Sequence, residues 1–163
     1  MRVLISREMP LEVVRLVEAK FDVTRRQSDF PMTALEAQAA MAEYDAILAT
    51  FCDDFSATAF EGLHDAPCKL VANFGVGINH IDVAAAQRAG IRVTNTPGAV
   101  TEATADIALT LMLMTCRRAS EGERMVRAGD WHGWGPTQLL GMHMSGKTVG
   151  IIGMGRIGQA IAQ

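Results

Sequence analysis

The sequence predicts an α/β protein: a flavodoxin-like, doubly wound parallel sheet over residues 1–98, followed by the start of a second α/β unit over residues 99–163. Three observations lead there. Short β-branched runs alternate with helix-patterned stretches through the first hundred residues, the order expected of a parallel sheet covered on both faces. The connections are short, and right-handed crossovers then favour a doubly wound order. Near the C-terminal end a strand-like run, TVGII, leads straight into Gly-x-Gly-x-x-Gly and a helix pattern, the opening of a new βα unit.

The elements follow in order. Residues 2–6 (RVLIS) form a β-branched run. Residues 10–20 place Val13, Val14, Leu16 and Val17 at helical spacing, and residues 21–25 make a shorter strand. Thr33-Ala-Leu-Glu36 is a capping box that opens an Ala-rich helix to about Tyr44. Residues 46–50 (AILAT) are a buried strand, residues 56–64 a short helix and residues 69–74 (KLVANF) another strand. Residues 81–89 are helical and end at Gly90. A fifth strand, residues 91–95 (IRVTN), stops at Pro97-Gly98.

The second part begins with a long helix over residues 101–118 that is apolar on most sides and must therefore be buried nearly all round. Residues 119–147 read as a loose, Gly-rich arm with "GDWHGWGP" in its middle, and its two Trp point to a partner surface. Residues 148–152 start a new strand.

Composition narrows the function. The net charge is −3 and no basic block stands out, which argues against nucleic-acid and membrane-surface roles. The N-terminus is a short strand followed by charge and not a signal peptide. The most apolar helical stretch, residues 107–116, is too short to span a bilayer. Cys52, Cys68 and Cys116 form no Cys-x-x-Cys pair and read as reduced thiols of a cytoplasmic chain with no metal site.

Two glycine motifs overlap near the C-terminus. Residues 141–148 match Gly-x-x-x-x-Gly-Lys-Thr, the phosphate loop of nucleoside-triphosphatases. That loop needs a buried strand before it and a helix after it, whose N-terminus supplies amides to the phosphates. Here a Pro- and Gln-containing run precedes it and Val-Gly-Ile-Ile-Gly follows, so the reading fails on both flanks and Gly146-Lys147 reads as a surface turn. Gly153, Gly155 and Gly158 match the dinucleotide loop, with a strand pattern before them and a helix pattern from Arg156 onward. The acidic residue that reads the ribose is expected about 20 positions further on, beyond Gln163.

A second glycine loop, "NFGVGINHID" (residues 73–82), closes the fourth strand. Ligands of open α/β sheets sit at C-terminal strand ends, and there the residues allow two readings: the amides of Val76 and Gly77 facing an anion such as a carboxylate, or a plain strand-to-helix loop.

The order of these pieces resembles the D-isomer-specific 2-hydroxyacid dehydrogenases. "NFGVGINHIDVAAAQRAGIRVTNTPGAVTEATADIALTLML" is similar to that family's substrate-loop and hinge signature, and "GKTVGIIGMGRIGQAIA" to its cofactor signature. "RAGDWHGWGPTQLLG" resembles the arm of the glyoxylate and hydroxypyruvate reductase branch. The likeness runs from about Lys69 to Gln163 and more loosely through residues 1–68; where many members carry an acid, this chain has Asn79-His80.

The resemblance implies a hydride-transferring oxidoreductase that uses NAD or NADP on a small 2-ketoacid. Residues 1–98 would be its substrate-binding domain, and residues 99–163 the dimerisation helix, the arm and the first strand, turn and helix of its cofactor domain. Val76 and Gly77 would hold the substrate carboxylate, and Thr96-Pro97 would lie at the hinge. Thr104, Gly153, Gly155, Arg156, Ile157 and Gly158 would line the cofactor. Residues 101–147 would form a homodimer interface, with Trp134 or Gln138 near the partner's pocket. The family's catalytic Arg, Glu and His follow the glycine motif, and none of His64, His80, His132 or His143 matches them. No catalytic residue is assigned, and the chain is expected to be the inactive N-terminal half of such an enzyme. A non-catalytic, corepressor-like interaction module of the same fold is the alternative.

Overall fold

The computed structural model describes all 163 residues, and the chain divides into two compact units, Met1–Ala99 and Val100–Gln163. The first is a five-stranded, all-parallel sheet in the order β2-β1-β3-β4-β5. The strands are β1 (Arg2–Ile5), β2 (Asp22–Arg25), β3 (Ala46–Thr50), β4 (Leu70–Phe74) and β5 (Arg92–Thr94). This is the flavodoxin-like order, with its reversal of winding between β1 and β3.

Alternation along the strands sorts the core onto two faces. Leu4 of β1 and Ile47 of β3 join one cluster with Met32, Met41, Phe55, Val71 and Ile91. Their chain neighbours Ile5 and Leu48 pack on the opposite face with Met9 and Val14. Helix α1 (Leu11–Glu18) contributes Val14 to the smaller cluster. Helices α2 (Ala34–Glu43) and α3 (Val83–Arg88) supply small residues, Ala37, Ala40, Ala85 and Ala86, to the larger one. Small side chains let those helices sit close to the sheet.

Local chemistry sets the helix ends. The Thr33 hydroxyl accepts from Glu36 N at 3.3 Å, and Glu36 accepts from Thr33 N at 2.8 Å, so the capping box is made. Helix α3 begins at Val83, two residues later than the sequence predicts, because the Asp82 side chain caps it by accepting from Ala85 N at 2.8 Å. Ile81 instead forms an isolated bridge with Phe55. The predicted helix at 56–64 shrinks to a 3₁₀ turn, Ala57–Phe60, with Glu61 already extended behind it.

The second unit contains α4 (Thr101–Cys116), α5 (Ala119–Ala128) and α6 (Arg156–Ile161), with α5 and α6 packed on α4. It corrects two expectations. Residues 119–128 are an ordered helix and not part of a loose arm. Its mid-helix Gly122 hid an Arg127–Glu123 pair at 2.7 Å one turn apart, an Arg118–Glu121 pair at 2.6 Å, and a C-terminal Gly129 in the left-handed region. Residues 148–152 form no strand, because a strand exists only by pairing and nothing in this unit offers an edge. Of the long helix only Ala105 is buried; Ile107, Leu109, Leu111 and Leu113 are exposed, since α5 and α6 cover only part of its surface. No helix is long and apolar enough to cross a membrane.

Candidate functional site

In the first unit the chemistry gathers where the strands end. Phe74 closes β4 and the chain turns through Gly75, Val76 and Gly77. Every carbonyl in that turn is engaged. Gly75 O accepts from Thr96 N at 3.0 Å and from Asn73 Nδ2 at 3.2 Å. Val76 O accepts from Asn95 Nδ2 at 2.8 Å, and Gly77 O from Asn73 Nδ2 at 2.9 Å.

All peptides here are trans, so each carbonyl points opposite to the amide that follows it. Tying Gly75 O to Asn73 and Thr96 therefore turns the Val76 N–H the other way. Tying Val76 O to Asn95 does the same for the Gly77 N–H. Neither amide donates to a protein acceptor, and both residues are exposed. Val76 and Gly77 thus present two consecutive N–H groups that have no protein acceptor.

Beside this loop, at the ends of β1, β3 and β4, lies a cleft of about 330 Å³ lined by Arg7, Met9, Thr50, Phe51 and Phe74 among others. Arg7 is half-buried, and its guanidinium donates to Asp29 O at 2.6 Å. Asn73, Asn95 and Arg7 were not singled out in the sequence. An Asn at a strand end followed by two glycines carried a signal, because its amide can satisfy the carbonyls of a tight turn.

Four ordered contacts account for Asp53, another residue the sequence reading passed over. It is fully buried and accepts from Ser6 Oγ, Thr50 N, Thr50 Oγ1 and Met32 N. This network holds the C-terminal ends of β1 and β3 in place beneath the cleft.

In the second unit, Gly153, Gly155 and Gly158 make the turn into α6. Gly153 has φ +98°, a conformation that disfavours any side chain. A Cβ on Gly158 would collide with the Gly153 carbonyl, so the close approach of turn and helix requires glycine there. Gly155 is the N-cap, without a side-chain cap, and the amides of Arg156 and Ile157 have no protein acceptor. Gln159 Nε2 donates to Met154 O at 3.1 Å and braces the turn. Thr104 lies on the first turns of α4, where its hydroxyl donates to Val100 O at 2.7 Å. At residues 141–148 a turn closes by Lys147 N to Met144 O at 3.0 Å and no helix follows, unlike a triphosphate loop.

Trp131 and Trp134 meet edge to face, with ring centroids 5.5 Å apart and Trp134 almost wholly exposed. Gln138 is occupied locally, accepting from Gly135 N and reaching Met125 Sδ. His64, His132 and His143 are exposed, and His80 alone is half-buried, 3.2 Å from Asn73 Oδ1.

The family described as "D-isomer specific 2-hydroxyacid dehydrogenase, catalytic domain" matches residues 3–157. A glyoxylate reductase of Pyrococcus horikoshii is 40% identical, over 99% of this chain and 49% of its own length. A solved protein of Polaromonas sp. JS6 66 superposes with a TM-score of 0.90 at 38% identity, covering 99% of this chain and 50% of that one. An NADPH-dependent glyoxylate/hydroxypyruvate reductase of Sinorhizobium meliloti, solved with NADP and malonate, has a TM-score of 0.76 at 34% identity, covering 99% and 48%. The chain spans about half the length of the curated relatives it matches.

Proposed function

Because the chain belongs to the D-isomer specific 2-hydroxyacid dehydrogenase family, we propose that it supplies the substrate-carboxylate loop and the cofactor glycine loop of a reductase. That reductase transfers hydride from NADH or NADPH to a small 2-ketoacid such as glyoxylate or hydroxypyruvate. Residues 1–98 serve as the substrate-binding domain. Residues 99–163 serve as the dimerisation helix, the arm and the opening of the cofactor domain.

One observation carries this reading: the two outward amides of Val76 and Gly77, free of protein acceptors, at the end of a central strand. A 2-ketoacid carboxylate is held there by two N–H donors, and its reacting carbonyl carbon is thereby oriented. The glycine turn fits a dinucleotide pyrophosphate: the Gly153 conformation, the Gly158 approach and the acceptorless amides of Arg156 and Ile157 make a cradle that a Cβ at Gly158 would disrupt. The residues that would hold that group are Gly153, Gly155, Arg156, Ile157 and Gly158, with Thr104 nearby on α4. The chemistry it supplies when bound is hydride donation. No residue of this chain is assigned to proton donation or to polarising the ketone. Residues 101–147, with the exposed apolar residues of α4 and the Trp pair, serve as the homodimer interface.

The test is an assay of the 163-residue chain with NADH and NADPH against glyoxylate and hydroxypyruvate, alongside amide NMR with oxamate. No turnover, with Val76 and Gly77 responding to oxamate, is the expected result. Ketoacid-dependent oxidation of NAD(P)H would show that proton donation resides in these residues after all. An absence of any amide response would remove the carboxylate role.

A further inference from the structure

His80 has no part in the function proposed above, yet Asn73 links it to that loop. Asn73 is buried at the end of β4, and His80 is half-buried in the turn that precedes α3. Asn73 Nδ2 lies 3.2 Å from Gly75 O and 2.9 Å from Gly77 O. Carbonyl oxygens only accept, so both amide hydrogens of Asn73 are committed to the loop and its Oδ1 faces away from it. The reverse orientation would set the Asn73 oxygen against two carbonyl oxygens, which excludes it.

The group facing Asn73 Oδ1 is His80 Nε2, at 3.2 Å. An acceptor on the Asn requires a donor on the ring, so Nε2 must carry a hydrogen. A chain of consequence runs outward from there. The ring holds Asn73 Oδ1; the Asn73 amide holds Gly75 O and Gly77 O; and the trans peptide then turns the Val76 N–H away from the protein. Asn95 performs the equivalent task for the Gly77 N–H through Val76 O. Asn73, together with Thr96 N at 3.0 Å on the same Gly75 O, therefore aims the Val76 amide and Asn95 the Gly77 amide, and Asn73 has His80 behind it.

We propose that His80 is a positioning residue for the anion loop: in its Nε2–H form it donates to Asn73 Oδ1, fixing the Asn73 amide that aims the Val76 N–H outward. The carboxylate as the loop's ligand rests on the proposed function; the aiming itself does not. The imidazole touches no ligand and acts only through Asn73.

The experiment uses the full 163-residue chain, 15N-labelled. At about pH 8, where histidine is ordinarily neutral, a long-range proton–nitrogen correlation reads the His80 tautomer. Protonation at Nε2 is expected; a bare Nε2 with the hydrogen on Nδ1 overturns the proposal. Two variants then separate positioning from bulk. His80→Gln places an amide nitrogen where Nε2 stood and is expected to keep the Val76 and Gly77 cross-peaks near their wild-type positions. His80→Leu is expected to displace the Val76 cross-peak while the signals of β1 and β3 stay in place. An unmoved Val76 signal in His80→Leu overturns the proposal. If His80→Leu fails to fold, the tautomer and His80→Gln decide, and a displaced loop in folded His80→Gln overturns it. Oxamate added to wild type tests the carboxylate separately: silence there, with the expected tautomer and variant spectra, removes the carboxylate and leaves His80 as the residue that aims the loop.

Discussion

The Ser6 hydroxyl donates to the Asp53 carboxylate at 2.6 Å, and both residues are fully buried. Ser6 follows β1 and Asp53 follows β3, so this bond joins the two central strands at their C-terminal ends. Thr50 N at 2.8 Å, Thr50 Oγ1 at 3.2 Å and Met32 N at 2.9 Å complete the set. Four donors converge on one buried carboxylate, and no Lys or Arg is among them.

Removing that acceptor leaves buried donors without partners, at roughly 1–3 kcal/mol per orphaned group. Asp53→Ala is expected to lower the unfolding free energy by about 3 kcal/mol or more, read as a shift in the urea midpoint. Asp53→Asn keeps the shape but turns an NH₂ toward donors, and is expected to cost about 2 kcal/mol. An Asp53→Ala variant as stable as wild type would mean that water or a rearranged loop satisfies these groups.

Glu36 gives the protein an acid-sensitive helix start. Acceptance of the Thr33 backbone N–H, the Arg26 guanidinium at 2.7 Å and the Thr33 hydroxyl hold its carboxyl down at about 2, against an ordinary value of 4.5. A depressed carboxyl contributes stability that is complete above the unfolded value and lost as pH falls through the folded one. The contribution therefore fades between about 4.5 and about 2. Carbon-detected titration of the Glu36 carboxyl is expected to show a midpoint near the lower value, and Glu36→Gln is expected to flatten the pH dependence of unfolding across that window.

The three thiols are expected to separate by burial. Cys68 is fully buried, and that burial pushes its thiol up from the ordinary value. Cys52 is exposed. Iodoacetamide at neutral pH should alkylate Cys52 while Cys68 stays unmodified until urea unfolds the chain, as read by peptide mass mapping. Early labelling of Cys68 would show that the sheet opens locally near β4.

The exposed apolar residues Ile107, Leu109, Leu111 and Leu113, spread over two sides of α4, are expected to be covered by a second copy of the chain. Light scattering should give about twice the monomer mass of 17.5 kDa. Leu113→Glu should shift the particle to monomer by placing a charge in the interface. A wild-type monomer at high micromolar concentration would remove the dimer.

Gly158→Ala is expected to disrupt the glycine turn, because the new Cβ meets the Gly153 carbonyl and the backbone must move. The amide signals of Arg156 and Ile157 should shift, whereas Gly155→Ala, with open space at that position, should leave the turn's fold intact. Identical effects from both substitutions would mean that the close approach at Gly158 does not set the turn.

The sequence by itself determined the parallel sheet of the first unit and its five strands. Those readings rest on local signals: two-residue alternation in RVLIS and AILAT, the Thr33–Glu36 box, and glycines that end helices. It also yielded the glycine turn at 153–158, a short-range backbone pattern. Helix α5 was written there as well, in Glu123 and Arg127 one turn apart, but Gly122 just before them masked it.

Only the tertiary structure decided the rest. Whether residues 148–152 become a strand depends on a partner edge, which no local pattern supplies. How far α4 is covered depends on what packs against it. The direction of the Val76 and Gly77 amides was settled by Asn73, Asn95 and Thr96, the last two about 20 residues away in sequence. The meeting of Ser6 with Asp53 spans still more chain. Helix and strand tendencies are properties of a few consecutive residues, whereas the aim of an amide or the burial of a carboxylate is set by groups that only folding brings together.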